Sequence, residues 1–195
     1  EHWDVGAEVR CQLLRWSSND TYLLTASTGR FIARVYGQTW RSPSAVAFEL
    51  EFLNHLTIRG VPVSAPIPGR KGEFVTSIRA PEGERQLAVF DYREGRRVSW
   101  EEEREAGLAG EILGSIHAAA DSFVSHHSRP RWDLEYMVDR PLEALRPYFE
   151  HRVADWAYLE DVASRLRGRV EKYAAAGLDW GICHGDYNAK NMHID

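Results

Sequence analysis

Along the first half of the chain, apolar and polar residues alternate in a way that predicts β-strands. Three such segments, EVRCQLLRW, TYLLTA and RFIARVY, are separated by the turn-rich SSND and STG. Two more, EFVTSIR and QLAVFDY, are joined by a predicted turn, APEGER. Strands that follow one another through short turns favour antiparallel pairing, so this half predicts a mostly antiparallel sheet.

One helix interrupts the strands, and helices dominate the rest of the chain. Ser42 is followed by Pro43, which suits a first helical position, and the segment closes on Gly60, so a helix is predicted from about Pro43 to about Ile58. From Glu94 onward the apolar residues recur at helical spacing. The predicted helices there are SWEEEREAGLAGEILGSIHAAADSF, PLEALRPYFEHR and DWAYLEDVASRLRGRVEKYAAAG, and WGICHGD is predicted to be a buried strand end that runs into a loop.

This order of elements predicts an α+β fold. Strands and helices are segregated into two halves, with FDYREGR at the crossing point, and do not alternate as in a βαβ fold. We expect an N-terminal β lobe with one helix over residues 1–91 and a mainly helical C-terminal lobe over residues 92–195. Two-lobed proteins of this kind tend to hold a ligand between the lobes.

The composition argues against a nucleic-acid-binding protein and against a membrane-spanning protein, but it does not indicate a function. A net charge of −5, with 44% hydrophobic and 27% charged residues, is ordinary for a globular protein and lacks the basic field of a nucleic-acid binder. The basic REGRR is followed by acidic EEERE, which predicts solvated surface. No apolar run approaches the roughly eighteen residues of a membrane span. Cys11 and Cys183 predict neither a disulfide framework nor a metal site, Cys183 is expected to be buried and inert, and a reducing cytoplasm is the expected location.

Candidate chemistry is concentrated in CHGDYNAKNMHID, at the end of the sequence. Phosphoryl transfer needs a carboxylate that accepts or orients the hydroxyl proton and an amide oxygen that helps to hold the metal ion. Asp186 and Asn191 supply these two groups, and the residues between them let a loop fold back on itself. His184 would brace the loop backbone. The alternative is a strand end capped by Asx turns, which Asp and Asn favour on their own.

A second candidate is an ion pair in the predicted sheet and helix. Glu49 shares a helix face with apolar Leu53, and a carboxylate in that setting needs a partner because burying it alone costs several kcal/mol. Arg34 shares a strand face with Tyr36, also in an apolar setting, and is the candidate partner. The pair would place a cation against nucleotide phosphates. The alternative is a solvated glutamate and an unrelated arginine.

Taken in order, these segments closely resemble the aminoglycoside phosphotransferase family. The resemblance is carried by the arginine strand, the glutamate helix, LAVFDYREGR, LGSIHAAADSF and GICHGDYNAKN, and its sharpest part is HGDYNAKN. It covers nearly the whole chain. The family also holds type II homoserine kinases and the choline kinase relatives, and its fold is similar to that of protein kinases, so the resemblance implies a two-lobed kinase-like fold.

The resemblance also implies roles for single residues. Asp186 would be the catalytic base and Asn191 a magnesium ligand. Arg34 stands where the family has a Lys or Arg that reaches the α- and β-phosphates, and Glu49 stands at the position of its helix partner.

Two further segments would bind the nucleotide in such a protein. The stretch from Asp91 to Arg93 would hold adenine through backbone groups. The polar turn SSND, with Ser18 and Asn19, would cover the phosphates, although it contains no glycine.

The sequence departs from the family pattern in the catalytic loop and after it. Asn188 and Lys190 replace what is a His and a Gly in many relatives. The family has a second metal-binding Asp in a strand after this loop, and Asp195 matches the hairpin-turn position before that strand. We expect the natural polypeptide to continue past Asp195, with an Asp about ten to twenty residues on, a spacing that the family resemblance implies and that would complete a magnesium site.

The function expected from the sequence is an ATP- or GTP-dependent, magnesium-assisted kinase that acts on a hydroxyl of a small molecule. Aminoglycosides, homoserine, choline-like alcohols and other sugars or metabolites remain open as acceptors. One alternative is a kinase-like module that binds nucleotide or a partner without catalysis. Another is a hydrolase that uses His184 and Asp186, for which no Ser or Cys elbow is present.

Overall fold

The structure, a computed structural model, describes residues 2–38 and 41–194 and contains a five-stranded antiparallel sheet. The elements of this half are β1 (Arg10–Arg15), β2 (Asn19–Ala26), β3 (Gly29–Tyr36), α1 (Pro43–Ile58), β4 (Thr76–Ala80) and β5 (Gly83–Asp91). The sheet order is β1-β2-β3-β5-β4, and the helix α1 lies between β3 and β4 in the chain. Within the described residues, no helix is both long enough and apolar enough to cross a membrane.

The helix α1 has the predicted bounds and covers one face of the sheet. The Ser42 hydroxyl accepts a hydrogen bond from the Ala45 N–H at 3.2 Å, which caps the first turn, and Pro43 follows as predicted. Val46 and Leu50 are almost fully buried against β3 and β5, where they form one cluster with Tyr36, Ala88 and Phe90. This packing fixes the position of the helix face that carries Glu49.

The helical half begins after a short strand, β6 (Arg96–Arg97). The α+β class is confirmed, since the sheet precedes a series of helices as the sequence predicts. The predicted PLEALRPYFEHR helix is irregular, with a π-helical turn before it and a 3-10 turn at its end. The remaining elements are α2 (Glu103–Ala120), the π turn Glu135–Asp139, α3 (Arg140–Leu145), the 3-10 turn Arg146–Phe149, α4 (Val153–Ala175), the 3-10 turn Ala189–Asn191 and β7 (His193–Ile194).

The chain forms two compact units. One consists of Glu1–Arg129 together with Gly181–Asp195, and the other is Pro130–Trp180. The first unit therefore contains the sheet, α1, α2 and the HGDYNAKN loop. The lobe boundary expected between residues 91 and 92 stays a prediction.

Three expectations for local structure are wrong in whole or in part. WGICHGD forms no strand among the described residues, and Cys183 is exposed, not buried. The acidic EEERE segment is not uniformly solvated, because Glu105 is buried and forms an ion pair with Arg96. The Ser99 N–H also donates to Glu105 at 2.8 Å, and these contacts hold the pKa of Glu105 below its usual value, with the Arg96 hydrogen bond as the largest cause.

A buried ion pair fixes the start of β2. Arg85 on β5 donates to Asp20 at 2.7 Å, and both side chains are about nine-tenths shielded, with 12% and 10% exposed. Arg85 also donates to the carbonyls of Tyr36 at 2.9 Å and Val35 at 3.0 Å. As a result β2 begins inside the segment predicted to be the SSND turn, at Asn19.

We predict that Arg85→Ala lowers the free energy of unfolding by about 3 kcal/mol, because it leaves the buried Asp20 carboxylate without its cation. Urea denaturation followed by circular dichroism measures the change. Arg79→Ala is the matched control, since Arg79 is exposed on β4, and it should change stability by less than about 0.5 kcal/mol. Equal midpoints for the two variants would contradict the assigned role of the pair.

Candidate active site

The carboxylate of Asp186 is held by the side-chain amides of two asparagines in its own loop. Asn188 Nδ2 donates to Asp186 Oδ1 at 2.6 Å, and Asn191 Nδ2 donates to Asp186 Oδ2 at 2.8 Å. The loop can close in this way because Gly185 adopts a φ of +77° and Asn188 caps the 3-10 turn by accepting from the Lys190 N–H at 3.0 Å. Asp186 is thus oriented yet exposed.

His184 braces the backbone of the same loop. Its Nδ1 accepts the Asp186 N–H at 3.2 Å, and its ring packs edge-on against Tyr187 with centroids 5.2 Å apart. The Tyr187 hydroxyl donates to the Ala109 carbonyl at 2.6 Å, which ties the loop to α2. The bracing role that the sequence suggested for His184 is therefore present in the hydrogen bonding.

Burial lowers the pKa of His184 from its ordinary value, while the carboxylates of Asp186 and Glu49 oppose the shift. Both acids therefore act electrostatically on the same imidazole, one from the HGDYNAKN loop and one from α1. Folding favours the neutral ring, so stability should fall as the pH drops below about 6.5, where the unfolded histidine takes up a proton. A protonated imidazole also has no nitrogen left to accept the Asp186 N–H.

The side chain of Asn191, the expected magnesium ligand, is oriented by Asp186. Its Nδ2 donates to Asp186, both to the carboxylate and to the backbone carbonyl at 3.0 Å, so its Oδ1 is the atom left to face a cation. A hard oxygen of this kind fits magnesium, but as one ligand of a shared site. No group of three or more His, Cys, Asp or Glu side chains with metal-binding geometry occurs within residues 2–38 and 41–194. Asp195 lies outside the described residues.

Glu49 and Arg34 meet across the interface between α1 and β3. Arg34 Nη1 lies 3.4 Å from Glu49 Oε1, and the Tyr36 hydroxyl donates to the same oxygen at 3.0 Å. The Glu49 side chain is only 17% exposed. Burial, and then the negative charge of Glu49, raise the pKa of the Tyr36 hydroxyl, which therefore stays a proton donor. The predicted proximity of Arg34 and Glu49 is present.

Two further arginines surround Glu49, and the sequence analysis missed both. Arg129 Nη1 lies 3.4 Å and Arg41 Nε 3.8 Å from Glu49 Oε2. Arg129 is 80 positions away in the chain, so no local periodicity could have indicated it. Arg41 lies just before the α1 cap, where an arginine carries no distinguishing pattern.

The segment expected to cover the phosphates is partly built into the sheet. Asn19 is the first residue of β2, and its Oδ1 accepts the Gly37 N–H at 3.1 Å. Ser17 donates to the Asn19 carbonyl at 3.4 Å, and Ser18 is exposed in the turn. Phosphate contacts from Ser18 and Asn19 stay predictions, and the Asn19 side chain already has a partner in Gly37, directly after β3.

The stretch expected to hold adenine follows β5. The Asp91 N–H donates to the Ala65 carbonyl at 3.0 Å, and the Asp91 carbonyl accepts from the Ser64 hydroxyl at 2.8 Å. Arg93 forms an ion pair with the Asp91 carboxylate at 2.5 Å, and its carbonyl lies 3.2 Å from His193 Nδ1. The N–H of Asp91 is thus already in use, and adenine binding by this stretch stays a prediction.

The fold is that of a solved protein and of a known family. An amicoumacin kinase solved with AMP-PNP and Ca²⁺ superposes on the whole chain with a TM-score of 0.70. That likeness, at 18% identity and over 57% of the solved chain, establishes the fold alone. The chain belongs to the phosphotransferase enzyme family, whose model matches residues 11–195.

Similar sequences support the same assignment. The chain is 38% identical to an uncharacterized protein of Deinococcus radiodurans over 93% of its own length and 52% of that protein. It is 26% identical to a homoserine kinase of Caulobacter vibrioides over 98% of its own length and 58% of that enzyme. The chain therefore spans a little over half the length of these two relatives.

We predict that Asp186→Asn lowers the pKa of His184 further, because it removes a negative charge that stabilises the protonated ring. NMR titration of the His184 ring protons measures the shift. Asp121→Asn, at the exposed end of α2, is the matched control and should leave that titration unchanged. A His184 pKa that rises or stays constant in Asp186→Asn would contradict the placement of the two groups.

Proposed function

We propose that this protein takes part in an ATP- or GTP-dependent phosphotransfer to a hydroxyl group of a small molecule. In this reaction Asp186 accepts the proton of the acceptor hydroxyl while that oxygen bonds to the γ-phosphorus. The bond from the γ-phosphorus to its bridging oxygen breaks, and the nucleoside diphosphate leaves. The chain's membership of the phosphotransferase enzyme family supports the reaction type.

The observation that carries this proposal is the fixed orientation of the Asp186 carboxylate. Each of its oxygens accepts one amide hydrogen, from Asn188 and from Asn191. A carboxylate oxygen has two lone pairs, so each keeps a site for a substrate hydroxyl. Holding the base in one rotamer and exposing it to solvent is what proximity catalysis requires of it. An Asx-turn cap alone would not need two amides aimed at one carboxylate.

The nucleotide would be held by the pair at Glu49. Arg34 is 35% exposed on its side chain, so it can reach a phosphate group while Glu49 orients it. Ser18 in the turn before β2 and the stretch Asp91–Arg93 are the proposed further contacts to the phosphates and to adenine. The solved amicoumacin kinase holds AMP-PNP, which supports nucleotide binding by this fold.

Magnesium would be held in part by Asn191. Its Oδ1 is the available donor, and phosphate oxygens and a further carboxylate would complete the coordination. When bound, the ion neutralises the charge of the phosphates. Asp186 would hold the Asn191 amide in position for the ion, and His184 would hold the loop backbone.

The acceptor is proposed only as a class. Homoserine kinase is the name of one relative and amicoumacin kinase that of one solved neighbour, and both names denote transfer to a small molecule. A small alcohol, with or without an amino group, is therefore the substrate class that we propose for testing.

We predict that Asp186→Asn reduces phosphoryl transfer by about two orders of magnitude or more while the affinity for AMP-PNP stays within about twofold. The reason is that the carboxylate acts on the acceptor hydroxyl and not on the bound nucleotide. Nucleoside diphosphate release by the full-length natural protein is measured with ATP or GTP and a panel of small alcohols that includes homoserine, amino alcohols and aminoglycosides. Asp121→Asn should transfer phosphate at the parental rate.

The outcomes separate the proposal from its alternative. Parental turnover in Asp186→Asn would remove this residue from the mechanism. Tight AMP-PNP binding without transfer to any member of the panel would favour a nucleotide-binding module. Failure to bind either nucleotide would contradict the proposed function altogether.

A further inference from the structure

Three arginines converge on a single carboxylate beside the catalytic loop. Arg34, Arg41 and Arg129 each lie within 4.0 Å of Glu49, and their side chains are 35%, 28% and 30% exposed. Arginine stays protonated in proteins, so the cluster carries three positive charges against one negative charge. The Tyr36 hydroxyl adds a donor and no charge. Within residues 2–38 and 41–194, Glu49 is the only carboxylate within 4.0 Å of these three arginines, so two of the positive charges have no direct counter-charge in this half-buried setting.

The unfavourable energy of placing these like charges together is reflected in the pKa of Arg129. Burial lowers the pKa of its guanidinium, and the like charge of Arg41 lowers it further, although Glu49 opposes both effects. Partly buried like charges are unfavourable unless anions compensate them. If only the stability of α1 were at stake, one arginine for Glu49 would suffice.

The position of Arg129 is also defined by its neighbours in the chain. Ser125 donates to Glu51, His127 lies 3.6 Å from the same carboxylate group, and the Ser128 N–H donates to Ser44 at 3.0 Å. The segment 125–129 therefore runs along α1 and contacts it through three of its side-chain and backbone groups. These contacts place Arg129 next to Glu49 independently of the ion pair between the two residues.

We propose that Arg41 and Arg129 form, with Arg34, an anion site at Glu49 that takes the phosphate chain of a nucleoside triphosphate. Guanidinium groups suit this ligand because each presents several donors in a plane that matches phosphate oxygens. A chain of phosphates brings the negative charge that the cluster lacks. Glu49 then orients the arginines, and Arg41 and Arg129 select for a ligand with several phosphates. This inference rests on the proposed function for the identity of the nucleotide.

The test measures binding of four probes by calorimetry: inorganic tripolyphosphate, AMP-PNP, AMP and adenosine. The proteins are the parent, Arg129→Gln, Arg41→Gln and the matched control Arg79→Gln, whose arginine is exposed on β4 of the same unit. Loss of one charge-assisted contact weakens binding by about tenfold or more. We expect that loss for tripolyphosphate and AMP-PNP in both cluster variants, with adenosine binding unchanged and with parental affinities in Arg79→Gln.

A role of Arg129 in stability alone gives a different result. In that case Arg129→Gln lowers the thermal midpoint and changes the affinity for adenosine as much as that for AMP-PNP. Arg129→Lys, which keeps the charge but not the planar fork, should recover part of the tripolyphosphate affinity. If Arg129→Gln does not fold, Arg129→Lys and Arg41→Gln carry the test.

Two outcomes distinguish this inference from the proposed function. Parental AMP-PNP affinity in Arg129→Gln and in Arg41→Gln would overturn the anion site and leave the kinase proposal standing. Tripolyphosphate binding that depends on Arg129, in a protein that does not bind AMP-PNP and does not bind GTP in a separate titration, would support the anion site and overturn the kinase proposal.

Discussion

The Glu49 carboxylate imposes the constraint on which the rest of the candidate site depends. It lies on the sheet-facing side of α1 with only 17% of its side chain exposed, and a carboxylate so placed must be matched by cations and hydrogen-bond donors. Arg34 and Tyr36 from β3 supply both. The position of α1 is fixed separately, by Val46 and Leu50 in the core, so the carboxylate cannot move away to solvent.

The HGDYNAKN loop orients its own carboxylate through local hydrogen bonds. Asp186 is exposed, so its orientation comes from hydrogen bonds and not from burial, and Asn188 and Asn191 hold its two oxygens. His184 supports the loop from the backbone side and is influenced by the charges of Asp186 and Glu49. A mostly shielded carboxylate that is surrounded by cations and an exposed carboxylate that is oriented by amides are two different environments for one chemical group.

Much of this arrangement follows from the sequence, where the signal is local. The cap and proline at the start of α1, the helical spacing of Glu49 and the alternation along β3 predicted the helix bounds and the meeting of Arg34 with Glu49. The pairs Asp20–Arg85 and Glu49–Arg129 could not be predicted, because they join residues 65 and 80 positions apart. The prediction of a strand at WGICHGD was wrong because it rested on a local pattern alone. A short apolar run favours a strand on pattern alone, but here no partner strand pairs with it in the part of the chain that the structure describes.

The central claim, that Glu49 organises the cations that receive the phosphates, is tested most directly by a double-mutant cycle on nucleotide affinity. The cycle compares the parent, Arg34→Gln, Glu49→Gln and the double variant by calorimetry with AMP-PNP and magnesium. We predict a coupling of about 1–2 kcal/mol, because each residue acts through the other. Glu49→Gln combined with Arg79→Gln should be additive to within about 0.5 kcal/mol. Additive effects of Arg34→Gln and Glu49→Gln would contradict the account.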